Sequence, residues 1–210
     1  HFNMLRVWGG GIYEQKIFYD LCDELGIMVW QDFMFACGAY PEYPEFVGNV
    51  RHEVAIIVKQ LRNHPSIVLW CGNNENEWWW NMKTRRPHHE MTGALLFEKI
   101  IPDICSAHDP GRSYWQSSPF GGEDPNDERQ GDHPQWNIWG NWADASSVAK
   151  NRGRFLSEFG FQAPAVLATW KKFLDEEEQL PQSPVFEQHN KQMEGTERLY
   201  RFLAGHVKMP

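Results

Sequence analysis

Two glutamates stand where apolar stretches give way to polar residues. Glu75 follows the apolar run Ile67–Cys71 in the sequence IVLWCGNNENE, and Glu158 follows a shorter run in the sequence FLSEFG. Hydrolysis of a glycosidic bond needs two carboxyl groups facing each other across that bond. In a retaining enzyme one carboxyl is the general acid/base and the other, about 5–5.5 Å away, is the nucleophile. The pair therefore indicates glycoside hydrolysis as a candidate chemistry.

Parallel strands are the elements that would position these two glutamates. A short run that is apolar on both faces is typical of a strand covered on both sides, as in a parallel sheet. Ile67–Cys71 and Arg154–Glu158 are the two predicted strands concerned. In barrels of alternating strands and helices, catalytic residues lie at the C-terminal ends of the strands. We therefore expect Glu75 and Glu158 on the same rim.

The remaining pattern alternates strands and helices. Further strands are predicted at Asn3–Trp8, Ile27–Trp30, Ser113–Ser118 and Gln135–Trp142. Helices are predicted at Tyr13–Leu25, Phe46–Leu61, Leu95–His108 (interrupted at Pro102), Leu167–Leu174 and Glu187–Leu203. The fold class is therefore α/β, as one domain over residues 1–210. We expect an incomplete (β/α)8 TIM barrel with about six of the eight strands, cut before the first and before the last.

Composition excludes several function classes. The net charge is −8 and no Lys/Arg cluster forms a phosphate-binding stripe, which argues against nucleic acid and anionic membrane surfaces as partners. No apolar stretch reaches the roughly 18 residues of a transmembrane helix. The chain starts on His and enters a predicted strand at once, without the features of a signal peptide. We expect it to be an internal piece of a longer protein.

The sequence predicts no metal or cofactor. The four cysteines lie far apart without a C-x-x-C pair, so we expect buried free thiols at Cys22, Cys37, Cys71 and Cys105. His88 and His89 are adjacent residues of a basic loop, without a third spaced ligand. Such a pair is more often solvated surface than a metal site.

Tryptophan is unusually frequent, with 11 residues, and many of these stand beside polar residues. Aromatic faces next to hydrogen-bonding groups suit sugar rings, which have apolar faces and polar edges. Asn74, beside Glu75, offers an amide to a sugar hydroxyl. A carbohydrate is therefore the expected ligand, and a non-catalytic carbohydrate-binding protein is the alternative to a hydrolase.

The sequence resembles glycoside hydrolase family 2, and within it the β-mannosidases, over almost its whole length. The stretches that carry the resemblance are Asn3–Glu14, Gly26–Cys37, His64–Trp78 and Phe155–Gln162. The double asparagine of WCGNNE is more similar to β-mannosidases than to β-galactosidases and β-glucuronidases, which typically have a single Asn before the Glu.

The resemblance implies roles for individual residues. Glu75 would be the acid/base and Glu158 the nucleophile. Asn74 would contact the sugar at its 2-position, and Arg6 would support the nucleophile by its charge. Other substrate-pocket positions, for which a structural role is an equal alternative, are Trp8, Asp32, His133 and Trp139.

The resemblance also implies a reaction. We expect removal of terminal, non-reducing β-D-mannose from oligosaccharides by double displacement, without a cofactor or a metal. Another family 2 activity, such as β-galactosidase, β-glucuronidase or endo-β-mannosidase, is the alternative within the family. The expected partners are a glycan substrate and the β-sandwich domains of a longer parent chain.

Overall fold

The computed structural model describes residues 2–125, 127–180 and 183–208. The chain divides into two compact units. The first unit comprises His1–Pro134 and Arg152–Glu158, and the second comprises Gln135–Asn151 and Phe159–Pro210. In the described part of the chain, no helix is both long enough and apolar enough to cross a membrane.

A four-stranded parallel sheet is the framework of the first unit. Its strands run in the order β1-β2-β3-β4, and each neighbouring pair is parallel. The strands are β1 (Met4–Val7), β2 (Met28–Asp32), β3 (Ile67–Cys71) and β4 (Ser113–Trp115). The connecting helices are α1 (Lys16–Leu25), α2 (Pro44–Leu61), α3 (Asn76–Thr84) and α4 (Ile101–His108). The predicted α/β class is confirmed, as is the parallel arrangement of these four strands.

Helix α2 shows how the sequence pattern builds the core. Its buried residues are Val50, Val54, Val58 and Leu61, which recur every three or four positions and belong to the same hydrophobic cluster as Ile67 and Trp70 of β3. This spacing puts one apolar face of the helix into the core. Helix α1 ends as predicted, with Gly26 in the left-handed conformation at φ 67°.

The helical stretch before β4 has two geometries. Residues Leu96–Ile100 form a π-helical turn that leads directly into α4. Pro102 lies in the first turn of α4. An early stop at Pro102 is wrong, because the helix continues to His108, and a kink there stays a prediction.

The predicted strand Gln135–Trp142 is wrong. A short strand β5 (His133–Gln135) pairs with β6 (Leu156–Phe159), and a helix, α5 (Asn137–Asn141), follows it. The side chain of Gln135 accepts a hydrogen bond from the N–H of Asn137 at 2.9 Å. This bond satisfies a backbone donor at the start of the helix, which would otherwise lack a partner.

The predicted helix Glu187–Leu203 is also wrong in its middle. The described residues of the second unit also form the α-helices α6 (Leu167–Trp170), α7 (Pro184–His189) and α8 (Gly195–Ala204). Between α7 and α8, the side-chain oxygen of Asn190 accepts from the N–H of Gln192 at 3.1 Å and from Gln162 at 2.9 Å. Asparagine side chains that bond to nearby backbone compete with helix formation. Asn190 therefore divides the predicted helix into two.

Glu77 is a buried carboxyl in the first turn of α3. It is 1% exposed, and its Oε1 accepts a hydrogen bond from Gln116 Nε2 at 2.6 Å. Within the described residues, its Oε2 has no hydrogen-bond partner. The pKa of Glu77 is raised to about 8, and burial is the largest cause. The hydrogen bond from Gln116 lowers this pKa, and the charge of Glu98 raises it.

We expect Glu77→Gln to flatten the pH dependence of stability. The folded protein holds the Glu77 proton more tightly than the unfolded chain, in which a glutamate titrates near pH 4.5. Its contribution to the free energy of unfolding is therefore fully present below pH 4.5 and is lost as the pH rises to about 8. Each pKa unit corresponds to roughly 1.4 kcal/mol.

Urea unfolding of parent and Glu77→Gln protein between pH 4.5 and 8 measures this loss. The variant should gain stability relative to the parent across that window, by a few kcal/mol. Glu24→Gln, at an exposed position of α1, is the matched control and should show no such gain. A constant difference between Glu77→Gln and parent at every pH would contradict the assignment.

Candidate active site

The guanidinium of Arg6, on β1, connects three other polar side chains. Its Nη1 donates to Glu158 Oε1 at 2.7 Å, and its Nη2 donates to Asn74 Oδ1 at 2.9 Å. Asp32 accepts from Nη2 at 2.8 Å and from Nε at 3.3 Å. These contacts join residues that are up to 152 positions apart in the chain.

The parallel sheet explains why Arg6, Asp32 and Asn74 meet, whereas Glu158 lies on β6, which pairs with β5 in a separate sheet. Asp32 is the last residue of β2, and Asn74 follows β3 by three positions. Because parallel strands end at the same edge, side chains that follow them lie close together. The pairing continues past the strand ends, since Asn74 forms bridges with Ala36 on one side and with Ser118 on the other.

Asp32 is the buried counter-charge of Arg6. It is fully buried, and it also accepts hydrogen bonds from the N–H of Gly9 at 2.9 Å and from Trp30 Nε1 at 2.8 Å. A β-carbon at Gly9 would lie 2.5 Å from the carbonyl oxygen of Phe35, so only glycine lets the backbone approach this closely. Several donors thus satisfy a carboxylate that is removed from water.

Arg6 is itself enclosed on its apolar side. Its guanidinium carbon lies 5.5 Å from the ring centre of Trp30, and Phe155 stacks on the same indole at 5.6 Å. Burial by itself lowers the pKa of Arg6, but the charge of Asp32 and the hydrogen bonds to it raise that pKa above its ordinary value, with further rises from Cys71 and Glu158. Arg6 is therefore a fixed cation.

Glu75 precedes α3 in a constrained conformation. Its φ of 60° is in the left-handed region, and its N–H donates to the carbonyl of Ser118 at 2.8 Å. A non-glycine residue held there costs about 1–3 kcal/mol, and such residues cluster at functional sites. The strained turn fixes the direction in which the Glu75 side chain leaves the backbone.

The surroundings of Glu75 favour its protonated form. Burial raises the pKa of Glu75, and the negative charge of Glu158 raises it further. A hydrogen bond from Cys37, at 3.5 Å between Sγ and Oε2, and the charge of Arg6 lower it, but the net shift is upward. The two glutamates are therefore electrostatically coupled, and Glu75 is the one suited to carry a proton.

Three other predicted site residues make different contacts. Trp8 is 47% exposed, with its ring against Gly10. His133 Nε2 lies 3.5 Å from Glu128 Oε1. Trp139 is buried in an aromatic cluster of the second unit with Phe161 and Phe202. The substrate roles of these three residues stay predictions.

Cys37 was missed as a site residue. The prediction of buried thiols is confirmed for Cys22, Cys71 and Cys105, but it is wrong for Cys37, which is exposed. Cys37 lies in the loop after β2, and its N–H donates to the carbonyl of Asn74 at 2.8 Å. The available signal was its position just past a strand end, where the other site residues also lie.

Metal ligation has no geometric support among the residues that the structure describes, because no three His, Cys, Asp or Glu side chains are grouped to hold an ion. His88, from the predicted solvated loop, lies with its Nδ1 2.9 Å from Glu98 Oε1.

Comparison with known proteins identifies relatives over nearly the whole chain. No protein-family model matches. β-Mannosidase B of Aspergillus fumigatus is 38% identical over 98% of this chain, which corresponds to 26% of that protein. β-Mannosidase B of Thermothelomyces thermophilus is 42% identical over 93% of this chain and 25% of its own length. The crystal structure of β-D-mannosidase from Dictyoglomus thermophilum matches with a TM-score of 0.91 and 53% identity, over 99% of this chain and 26% of that one.

The chain belongs to the β-mannosidases of glycoside hydrolase family 2. It spans about a quarter of the length of the curated relatives that it matches. The family resemblance carried by the four sequence stretches is thereby confirmed.

We expect Arg6→Met to destabilise this β-mannosidase segment by about 3–5 kcal/mol, because it leaves the carboxylate of Asp32 buried without its cation. Asp32→Asn alone should also destabilise. The double variant Arg6→Met/Asp32→Asn should lose less than the sum of the single losses, since the two residues contact each other. Chemical denaturation of all four proteins gives the coupling energy.

Lys16→Met is the matched control for this cycle. Lys16 forms an ion pair with Asp20 on the exposed face of α1, so its removal should cost no more than about 0.5 kcal/mol. Additive losses for Arg6 and Asp32 would contradict the central role of their contact.

Proposed function

We propose that this chain carries the catalytic carboxylates of a retaining β-mannosidase that removes terminal, non-reducing β-D-mannose from oligosaccharides. The observation that carries the proposal is the guanidinium of Arg6, which bonds to Glu158 at 2.7 Å and to Asn74 at 2.9 Å, beside Glu75. The choice of mannose rests on the relatives, which are β-mannosidases and match almost all of this chain.

Glu158 is the nucleophile in this proposal. Its carboxylate attacks the anomeric carbon and forms a glycosyl–enzyme ester while the bond to the leaving oxygen breaks. Arg6 holds Oε1 of Glu158, which limits rotation of the carboxylate and favours an attack geometry that is set before the substrate arrives.

Glu75 is the acid and then the base. Burial and the charge of Glu158 raise the pKa of Glu75, so Glu75 starts with the proton that the leaving oxygen takes. Ester formation removes the negative charge of Glu158, and with it one cause of the raised pKa. Glu75 is then a carboxylate that accepts a proton from water, which hydrolyses the ester.

Asn74 would bind the 2-hydroxyl of the sugar. Its Oδ1 is occupied by Arg6, and its Nδ2 points towards Cys37 Sγ at 3.6 Å. The amide is therefore held in one orientation, with its NH2 group as the donor. Hydrogen bonds to the 2-hydroxyl strengthen in the oxocarbenium-like transition state of glycosidases.

The architecture that we propose for the whole protein is a (β/α)8 barrel. The sheet β1-β2-β3-β4, with helices between its parallel strands, fits a contiguous part of such a barrel. We also propose that residues 1–210 belong to one barrel domain. A glycan is the proposed partner, and the longer protein is proposed to contain additional β-sandwich domains. The greater length of the relatives leaves room for those domains.

We expect the complete protein to hydrolyse p-nitrophenyl β-mannoside and Glu158→Ala to abolish this activity. Glu75→Ala should lower turnover of a β-linked mannobiose by about 10²–10⁴-fold, because general acid catalysis contributes that much. It should lower kcat/KM for the nitrophenyl substrate far less, since nitrophenolate leaves without protonation and kcat/KM does not include hydrolysis of the ester. Initial rates at low concentrations of each substrate give the two ratios.

Azide separates the two roles. It should restore turnover to both variants, giving the β-mannosyl azide with Glu75→Ala and the α-mannosyl azide with Glu158→Ala, where it replaces the nucleophile. Glu24→Gln, at an exposed position, should behave as the parent. Equal losses of kcat/KM on both substrates for Glu75→Ala would contradict the acid role, and cleavage of a β-galactoside or β-glucuronide instead would contradict the assignment of mannose.

A further inference from the structure

The thiol of Cys37 lies between two residues of the proposed catalytic site. Its Sγ is 3.5 Å from Oε2 of Glu75, and Nδ2 of Asn74 is 3.6 Å from the same sulfur. The backbone N–H of Cys37 also donates to the carbonyl of Asn74 at 2.8 Å. The thiol therefore contacts the acid/base directly and the neighbouring amide as well.

The backbone of Cys37 is fixed in an unfavourable conformation. Its φ of 53° is in the left-handed region, which non-glycine residues rarely adopt. The preceding residue, Ala36, forms a bridge with Asn74, so the chain that leads into Cys37 is tied to the segment after β3. Strain of this kind at a residue that touches a catalytic group points to a functional role for its side chain.

In the contact between Cys37 and Glu75, the sulfur carries the proton and is the hydrogen-bond donor. Burial raises the pKa of Cys37, and the charge of Glu75 and the hydrogen bond to it raise the pKa further, against lowering by Asn74 and Trp79. The thiol is thus a neutral S–H donor at neutral pH, and Oε2 of Glu75 is its acceptor.

The charged groups around Glu75 act in opposite directions. Glu158 on β6 favours the protonated acid, whereas Arg6 on β1 and the S–H of Cys37 favour the carboxylate. Asp32 on β2 forms an ion pair with Arg6. Cys37 is the member of this set that contacts Glu75 as a neutral donor.

We propose that Cys37 is a positioning residue for the acid/base, in which a protonated thiol holds Oε2 of Glu75 and leaves Oε1 to transfer the proton to the leaving oxygen. This inference rests on the proposed function. It also makes the two groups a coupled pair, because a bond that stabilises the Glu75 carboxylate must stabilise the Cys37 thiol equally.

The first test is the pH profile of kcat/KM on β-linked mannobiose for the complete protein, Cys37→Ser and Cys37→Ala. Loss of the donor in Cys37→Ala should move the basic limb to higher pH, since that limb reports the proton of Glu75. It should lower kcat by about 3- to 10-fold, the effect of losing one hydrogen bond of ordinary strength. Cys37→Ser keeps a donor and should recover part of both effects.

The second test needs no turnover. Alkylation of Cys37 by iodoacetamide, followed by mass spectrometry across pH, reports the thiol pKa. Glu75→Gln removes the negative charge beside the sulfur, so alkylation should become faster at a given pH. The buried Cys22, Cys71 and Cys105 serve as internal controls and should react equally slowly in both proteins.

The two tests separate failure of this inference from failure of the proposed function. A parent enzyme that cleaves mannobiose, with an unchanged profile in Cys37→Ala, would overturn the positioning role. Unchanged alkylation in Glu75→Gln would overturn the contact itself, even if Cys37→Ala does not fold. Faster alkylation in Glu75→Gln in a protein that cleaves no glycoside would support the contact and overturn the proposed function.

Discussion

The fork of donors on Arg6 is the interaction on which the site depends. A planar guanidinium has five N–H groups in fixed directions, so one side chain can hold several acceptors at set angles. Here it binds Asp32, Asn74 and Glu158 together. A lysine ammonium would supply the charge without this geometry. The buried carboxylate of Asp32 balances the cation, so Arg6 remains available to orient the other two groups.

The same cation helps to give the two glutamates different environments. Glu158 is in direct contact with Arg6. Glu75 is instead in a left-handed backbone conformation after β3, and its side chain contacts the neutral thiol of Cys37. A retaining mechanism needs one carboxylate and one carboxylic acid at the start. The difference follows from the neighbours of each side chain, because the two side chains are chemically identical.

Sequence patterns predicted the strand ends well, since an apolar run that stops at a polar cluster is a local signal. The contact between Arg6 and Glu158 has no such signal and was implied only by family resemblance. Other features depend on side-chain contacts that have no local pattern. Asn190, in the middle of a predicted helix, accepts hydrogen bonds from the N–H of Gln192 and from the distant Gln162. Gln116 donates to the buried carboxyl of Glu77 from 39 positions away. The exposure of Cys37 has no signal in the sequence.

Two strained residues in one site require a rigid support, and the backbone supplies it. Cys37 donates to the carbonyl of Asn74, and Glu75 donates to that of Ser118. Ser118 in turn donates to the carbonyl of Asn73 at 3.0 Å. Three loops are thus joined by hydrogen bonds that continue the parallel pairing beyond the strands. Hydrogen bonds of the backbone therefore hold the left-handed turns at Cys37 and Glu75.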